Sequence, residues 1–166
     1  MRIIAFSIIM ILCICAQNAI AQDFKGTMLK IHNNERAILN IAPLEWDEDL
    51  SKEAGAWAAH MAQTGEFKHA NEHQNNGHGE NLWMGSKDYY SFEYMAQMWA
   101  DERKYFKYGK FPNLIKEGHL SKVGHYTQMI WKNTKKFGCA YATNANFTYL
   151  VCRYDPAGNY IDQVPY

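Results

Sequence analysis

The chain has 166 residues, 48% of them hydrophobic, with 17 basic and 17 acidic side chains. That length suffices for one domain with a real core. The zero formal net charge gives no electrostatic case for nucleic acid or an anionic membrane as a partner.

The first segment reads as a secretory signal peptide. Arg2 supplies a positive start, Ile3 to Ile14 form an apolar run broken only by Ser7, and Ala19-Ile20-Ala21 offers small residues for cleavage before Gln22. The run is shorter than the roughly 20 residues a membrane-spanning helix needs. The expected organisation is therefore a signal peptide at 1–21 and a single secreted, extracellular domain at 22–166, with no transmembrane segment in the mature chain. Removal of 1–21 takes out Arg2 and no acid, leaving 16 basic and 17 acidic residues. It also reduces four cysteines to two, Cys139 and Cys152. In an oxidising compartment such a pair is expected to form a disulfide, the alternative being two buried thiols.

Three helical patterns follow. Phe24, Met28, Ile31 and Ile38 share one face of the first. Leu50, Ala54, Trp57, Ala58, Met61 and Ala62 share one face of the second, which Asp47 or Asp49 would cap. Phe92, Met95, Ala96, Trp99, Arg103 and Phe106 mark the third, with Ser91 as its N-cap. Strand-like segments cover 81–84, 138–143 and 149–154. The last two flank Asn144-Ala145-Asn146 as a hairpin that the disulfide would tie. Helices early and an antiparallel hairpin late indicate α+β or an α/β/α sandwich rather than a parallel sheet.

Two places carry unexpected chemistry. Glu102 lies three residues after Trp99 on the apolar side of the third helix, and a carboxylate facing a core is costly unless paired or wet. It either lines a cavity or sits at the stripe's edge and reaches water. Between His69 and Glu80 the chain holds His69, His73 and His78, residue types that zinc and copper sites use. A histidine-rich loop is more often a solvated loop than a site. There is no HExxH, no GxSxG and no P-loop, and no hydrolase triad can be named.

Four segments nevertheless resemble one family. Gly124 to Thr134 (GHYTQMIWKNT) and Tyr149 to Tyr160 (YLVCRYDPAGNY) resemble the two signatures of the CAP superfamily of cysteine-rich secretory, antigen 5 and pathogenesis-related proteins. His32-Asn33-Asn34-Glu35-Arg36 and Gly79-Glu80-Asn81-Leu82 match its HNxxR and GENL patterns, in the family's order. The resemblance implies a three-layer α/β/α sandwich around a central antiparallel sheet, with a cleft holding two histidines and two acids. Carried over singly, these are His69, Glu80, Glu102 and His125, which places Glu102 in a cavity. A divalent metal such as zinc, not required for the fold, would take His69 and His125 as ligands. His32 and Arg36 are expected to tie the first helix to its neighbours. The additional cysteines of plant members and the cysteine-rich extension of venom members are absent from the sequence, so channel blocking does not carry over.

The leading functional expectation is a non-enzymatic secreted protein that binds a lipid or sterol, a divalent metal, or an extracellular protein partner. Its aromatic loop, Tyr105, Phe106, Tyr108 and Phe111 interleaved with lysines, would cover a flat lipid or else be pinned to the domain by its own rings. The alternatives are a metal-dependent hydrolase using the His/Glu cavity, and a precursor releasing a signalling peptide from the Pro156 to Tyr166 tail. The sequence leaves the oligomeric state open.

Overall fold

The computed structural model describes residues 24–166; the signal peptide expected at 1–21 lies outside them. Helix α1 occupies residues 24–38 and buries Phe24, Met28 and Ile31. The stripe then continues as His32, Glu35 and Arg36, all buried. Ile38, expected on that face, is 61% exposed. The helix stops there, Asn40 adopts a left-handed turn with φ 55°, and Leu39 and Ile41 pack on the core instead.

Helix α2 runs over Glu48–Thr64. Asp47 caps it, its side chain accepting from the amides of Asp49 and Leu50, which satisfies two donors that a helix start leaves free. Gly65 closes it in the left-handed conformation that glycine adopts without penalty. The single turn α3 (Glu72–Asn75) carries an Asn71/Gln74 capping box; the periodic pattern did not reveal it. Helix α4 (Phe92–Ala100) starts at the Ser91 cap. It ends three residues before Arg103, as a 3-10 turn over Asp101–Tyr105. Arg103 and Phe106 therefore leave the expected stripe: Arg103 pairs with Glu35 at 3.0 Å, and Phe106 rests on Tyr126. Helix α5 spans Gly124–Met129.

The four-stranded sheet has the order β1-β3-β4-β2. The strands are β1 (Glu45–Trp46), β2 (Gly79–Ser86), β3 (Lys136–Thr143) and β4 (Phe147–Asp155). The three long strands extend the expected segments by at most two residues at either end and pair antiparallel. The two-residue β1 pairs parallel to β3 and is the one departure from an antiparallel sheet. Cys139 faces Cys152 in register, with Cα atoms 4.1 Å apart, and the two are disulfide-bonded. Asn144 turns the hairpin, its Oδ1 accepting from the amides of Asn146 and Phe147.

Alternation along the strands divides the core into two layers. Leu82, Tyr149 and Val151 pack against Ala54, Trp57, Ala58 and Met61 of α2. Trp83, Phe137, Cys139, Leu150, Cys152 and Tyr154 pack on the other face with α1, α4 and α5. The fold is thus an α+β three-layer arrangement. The α2 layer approaches very closely at Gly138, where a Cβ would meet the backbone of Asp47 and Ser51. Among the described residues no helix is long and apolar enough to cross a membrane.

Candidate functional site

The four residues assigned to a cleft are placed as two imidazole–carboxylate pairs. Glu102 sits in the 3-10 turn after α4, with its side chain 14% exposed. Its Oε2 accepts from the amides of His125 and Tyr126, both 3.0 Å, in the first turn of α5, where donors have no helical partner. Its Oε1 accepts from His125 Nδ1 at 2.6 Å. The His125 ring stacks on Trp99, centroids 5.8 Å apart, and Trp99 Nε1 donates to the Leu82 carbonyl. Periodicity left two places open for Glu102, a cavity or the solvent edge. It is in fact enclosed and fully engaged.

Glu80, near the start of β2, is 4% exposed in its side chain. Its Oε1 accepts from His69 Nδ1 at 2.5 Å and from the Ala70 amide at 3.1 Å. Its Oε2 lies 3.0 Å from Arg153 Nη2. His69 itself lies outside α3 and its side chain is 61% exposed. Asn81, the next residue, donates to the His125 carbonyl and to the Tyr154 hydroxyl, so the two pairs adjoin across the start of β2.

A carboxylate only accepts, so each imidazole carries its proton on Nδ1 and presents Nε2 as its remaining donor atom. That is the arrangement in which a histidine backed by a carboxylate ligates a metal. Among the described residues no three His, Cys, Asp or Glu side chains lie close enough together to hold a metal ion. The two carboxylate-backed imidazoles are of a ligand type that a divalent cation uses, and the set does not fit a closed structural zinc site, which needs four protein ligands.

The other histidines have separate roles. His73 is exposed, whereas His78 donates to Glu53 of α2 at 3.0 Å. His32 is fully buried: its Nδ1 donates to the Met28 carbonyl and its Nε2 accepts from the Tyr154 hydroxyl. Burial pulls its pKa down to about 4, which the Met28 bond partly opposes and Arg36 reinforces. Burial likewise raises that of Tyr154. Arg36 donates to the carbonyls of Ala42, Met129, Trp131 and Thr134. His32 thus joins α1 to β4, and Arg36 joins it to the end of α5 and the residues that follow, so both tie the first helix to its neighbours.

The aromatic loop is engaged with the domain and the tail. Tyr105 lies beneath the ammonium groups of Lys104 and Lys122. Phe106 packs on Tyr126 and Tyr166. The Tyr108 hydroxyl donates to the Tyr166 main-chain oxygen at 2.8 Å. Phe111 exchanges main-chain bonds with Asp162 and Gln163. The tail is held further by Lys132, whose amide donates to the Pro165 carbonyl.

Sequence reasoning passed over Arg153 and Glu53. The signal for Arg153 was present: in β4 it shares the parity of Tyr149 and Val151, so a cation was being directed into a packed layer.

Comparison with known proteins agrees with this architecture. A family model described as "CAP: Cysteine-rich secretory protein family" matches residues 29–154. The chain is 32% identical to pathogenesis-related protein 1A of Nicotiana tabacum over 161 residues, covering 96% of this chain and 91% of the relative. The structure is similar to NaASP2, crystallised with Zn2+, at TM-score 0.71 and 28% identity over 85% of this chain and 83% of that one. It is similar also to Na-ASP-1, at TM-score 0.68 and 25% identity over 86% of this chain, and spans 41% of that longer chain. The chain belongs to the CAP, or cysteine-rich secretory protein, family.

Proposed function

We propose that this CAP protein is secreted and non-enzymatic, and that its cleft binds a divalent cation of the zinc type through Nε2 of His69 and of His125. The observation that carries the reading is the pair of carboxylate-backed imidazoles, each with Nδ1 committed to a glutamate. Glu80 and Glu102 would orient the rings and add negative charge behind them. Two imidazoles leave the remaining coordination positions to water or to a group of an extracellular partner. The zinc in the crystals of the similar NaASP2 supports the choice of ion. Secretion is supported by the signal-peptide pattern and by the secretory family to which the chain belongs.

Calorimetric titration with Zn²⁺ tests the reading. The parent protein binds, His69→Ala and His125→Ala each weaken binding by tenfold or more, and affinity falls in acid because protons compete for the imidazoles. Unchanged affinity in either variant removes that residue from the site. A peptide-library assay with zinc supplied separates the hydrolase alternative: turnover abolished in both Glu80→Gln and His125→Ala would replace the binding reading.

A further inference from the structure

Arg153 lies on β4 at the register position opposite Glu80 and is wholly buried. Its Nη2 meets Glu80 Oε2 at 3.0 Å, yet the two are not aligned as a hydrogen bond. Glu80 Oε2 and all three guanidinium nitrogens of Arg153 lack a hydrogen-bond partner among the described residues. Burial acts against the guanidinium charge, and the charges of Glu80 and Glu53 act to keep it. The contact is therefore a buried ion pair held by charge and enclosure rather than by bidentate geometry.

The two halves of the cleft are consequently supported in different ways. In one, Glu102 is met by two backbone amides. In the other, Glu80 has one oxygen on the exposed His69 ring and the Ala70 amide, and the other oxygen on a buried cation. No other hydrogen bond of the His69 side chain is found among the described residues, so its orientation depends on where the Glu80 carboxylate points. A buried carboxylate deprived of its counter-charge does not hold its place.

We propose that Arg153 is the positioning residue of the His69 half of the cleft: acting through Glu80, it fixes the His69 imidazole for a divalent cation, while the His125 half is independent of it. The last step rests on the reading of the cleft as a cation site; the positioning itself stands on the geometry. Because a single nitrogen reaches Glu80, a point charge suffices, and lysine substitutes for arginine here.

The test uses the mature protein and its Arg153→Gln and Arg153→Lys variants at neutral pH. Long-range ¹H–¹⁵N spectra report which ring nitrogen of each histidine carries the proton, with no metal present. Arg153→Gln shifts His69 away from the Nδ1–H form, leaves His125 unaltered, and weakens Zn²⁺ binding about tenfold; Arg153→Lys keeps the parent spectrum. Should Arg153→Gln fail to fold, the comparison is made on the Glu80→Gln background, where adding Arg153→Gln leaves both partners neutral. There the further change Arg153→Gln leaves the His69 spectrum as it is in Glu80→Gln alone, because the route runs through Glu80. An unmoved His69 in Arg153→Gln, equal changes in both histidines, or an added effect on the Glu80→Gln background overturns the proposal. If the parent binds no zinc while His69 still follows Arg153, the cation reading fails and the positioning role stands. If zinc binds parent and Arg153→Gln alike with His69 unmoved, the reverse holds.

Discussion

Acidification is the sharpest test of how α1 is joined to the sheet, because His32 is wholly enclosed and cannot take a proton without breaking its setting. Its Nδ1 proton already serves the Met28 carbonyl, and its Nε2 lone pair already accepts from Tyr154. Protonation would oppose a second N–H to the Tyr154 hydroxyl and place a charge beside Arg36. The folded protein holds the residue neutral down to a pKa of about 4, against an ordinary value of 6.5. The unfolded chain therefore binds the proton first as pH falls, and stability declines below pH 6.5 until the folded state also titrates. At 1.36 kcal/mol per unit, the loss from this residue is about 2 kcal/mol by pH 5 and about 3 kcal/mol by pH 4. Urea unfolding of the parent and of His32→Gln at pH 7, 5 and 4 measures it, since carboxylate contributions common to both cancel in the difference. The variant starts less stable but loses less, so the gap between them narrows by that amount. A gap that stays constant from pH 7 to pH 4, or a His32 ring resonance that titrates near 6.5 in the folded protein, refutes the reasoning.

Three further outcomes follow from the same packing. Replacing Cys139 and Cys152 together by alanine removes a bridge between residues 13 apart and costs about 3 kcal/mol; thiol titration of the unfolded, unreduced parent finds no free cysteine. Arg36→Met leaves four carbonyls of Ala42, Met129, Trp131 and Thr134 without their shared donor and costs about 3 kcal/mol or more, read as a lower urea midpoint; a loss below about 1 kcal/mol would mean that water takes over those bonds. Deleting 163–166 frees the Tyr108 hydroxyl and the Phe111 amide, so the Phe111 amide loses protection in hydrogen exchange while the Cys139 and Cys152 strands keep theirs.

The elements legible in the sequence were those long enough to repeat their pattern. Helix α2 shows its apolar stripe over 17 residues, and of the two caps the sequence offered, Asp47 and Asp49, Asp47 serves. Helix α5 has six residues and β1 has two, too few for periodicity to register. They exist because other groups hold them. Asn33 brackets β1 through both the amide and the carbonyl of Leu44. The two long signatures, the first of which contains α5, lock each other: Gln128 accepts from the Gly158 amide, and Thr127 donates to Asn159, which donates to the Gly124 carbonyl. Such pairings join residues about thirty positions apart and leave no local trace.

The same distinction divides the candidate site. The carboxylate of Glu102 is met by backbone amides 23 and 24 positions away. Every residue type but proline carries an amide, so no choice of residue at 125 or 126 announces those two bonds. Glu80 is met by a side chain, and a charged residue at an inward position of a strand that otherwise presents Tyr149 and Val151 to α2 is a visible anomaly. The two acids therefore differ in what mutation can do to them. The two amides that meet Glu102 can be altered only by moving the backbone of α5, whereas the Arg153 charge beside Glu80 can be removed, reversed or restored by one side chain. That makes His69 the imidazole whose position can be tested separately from the proposed cation binding.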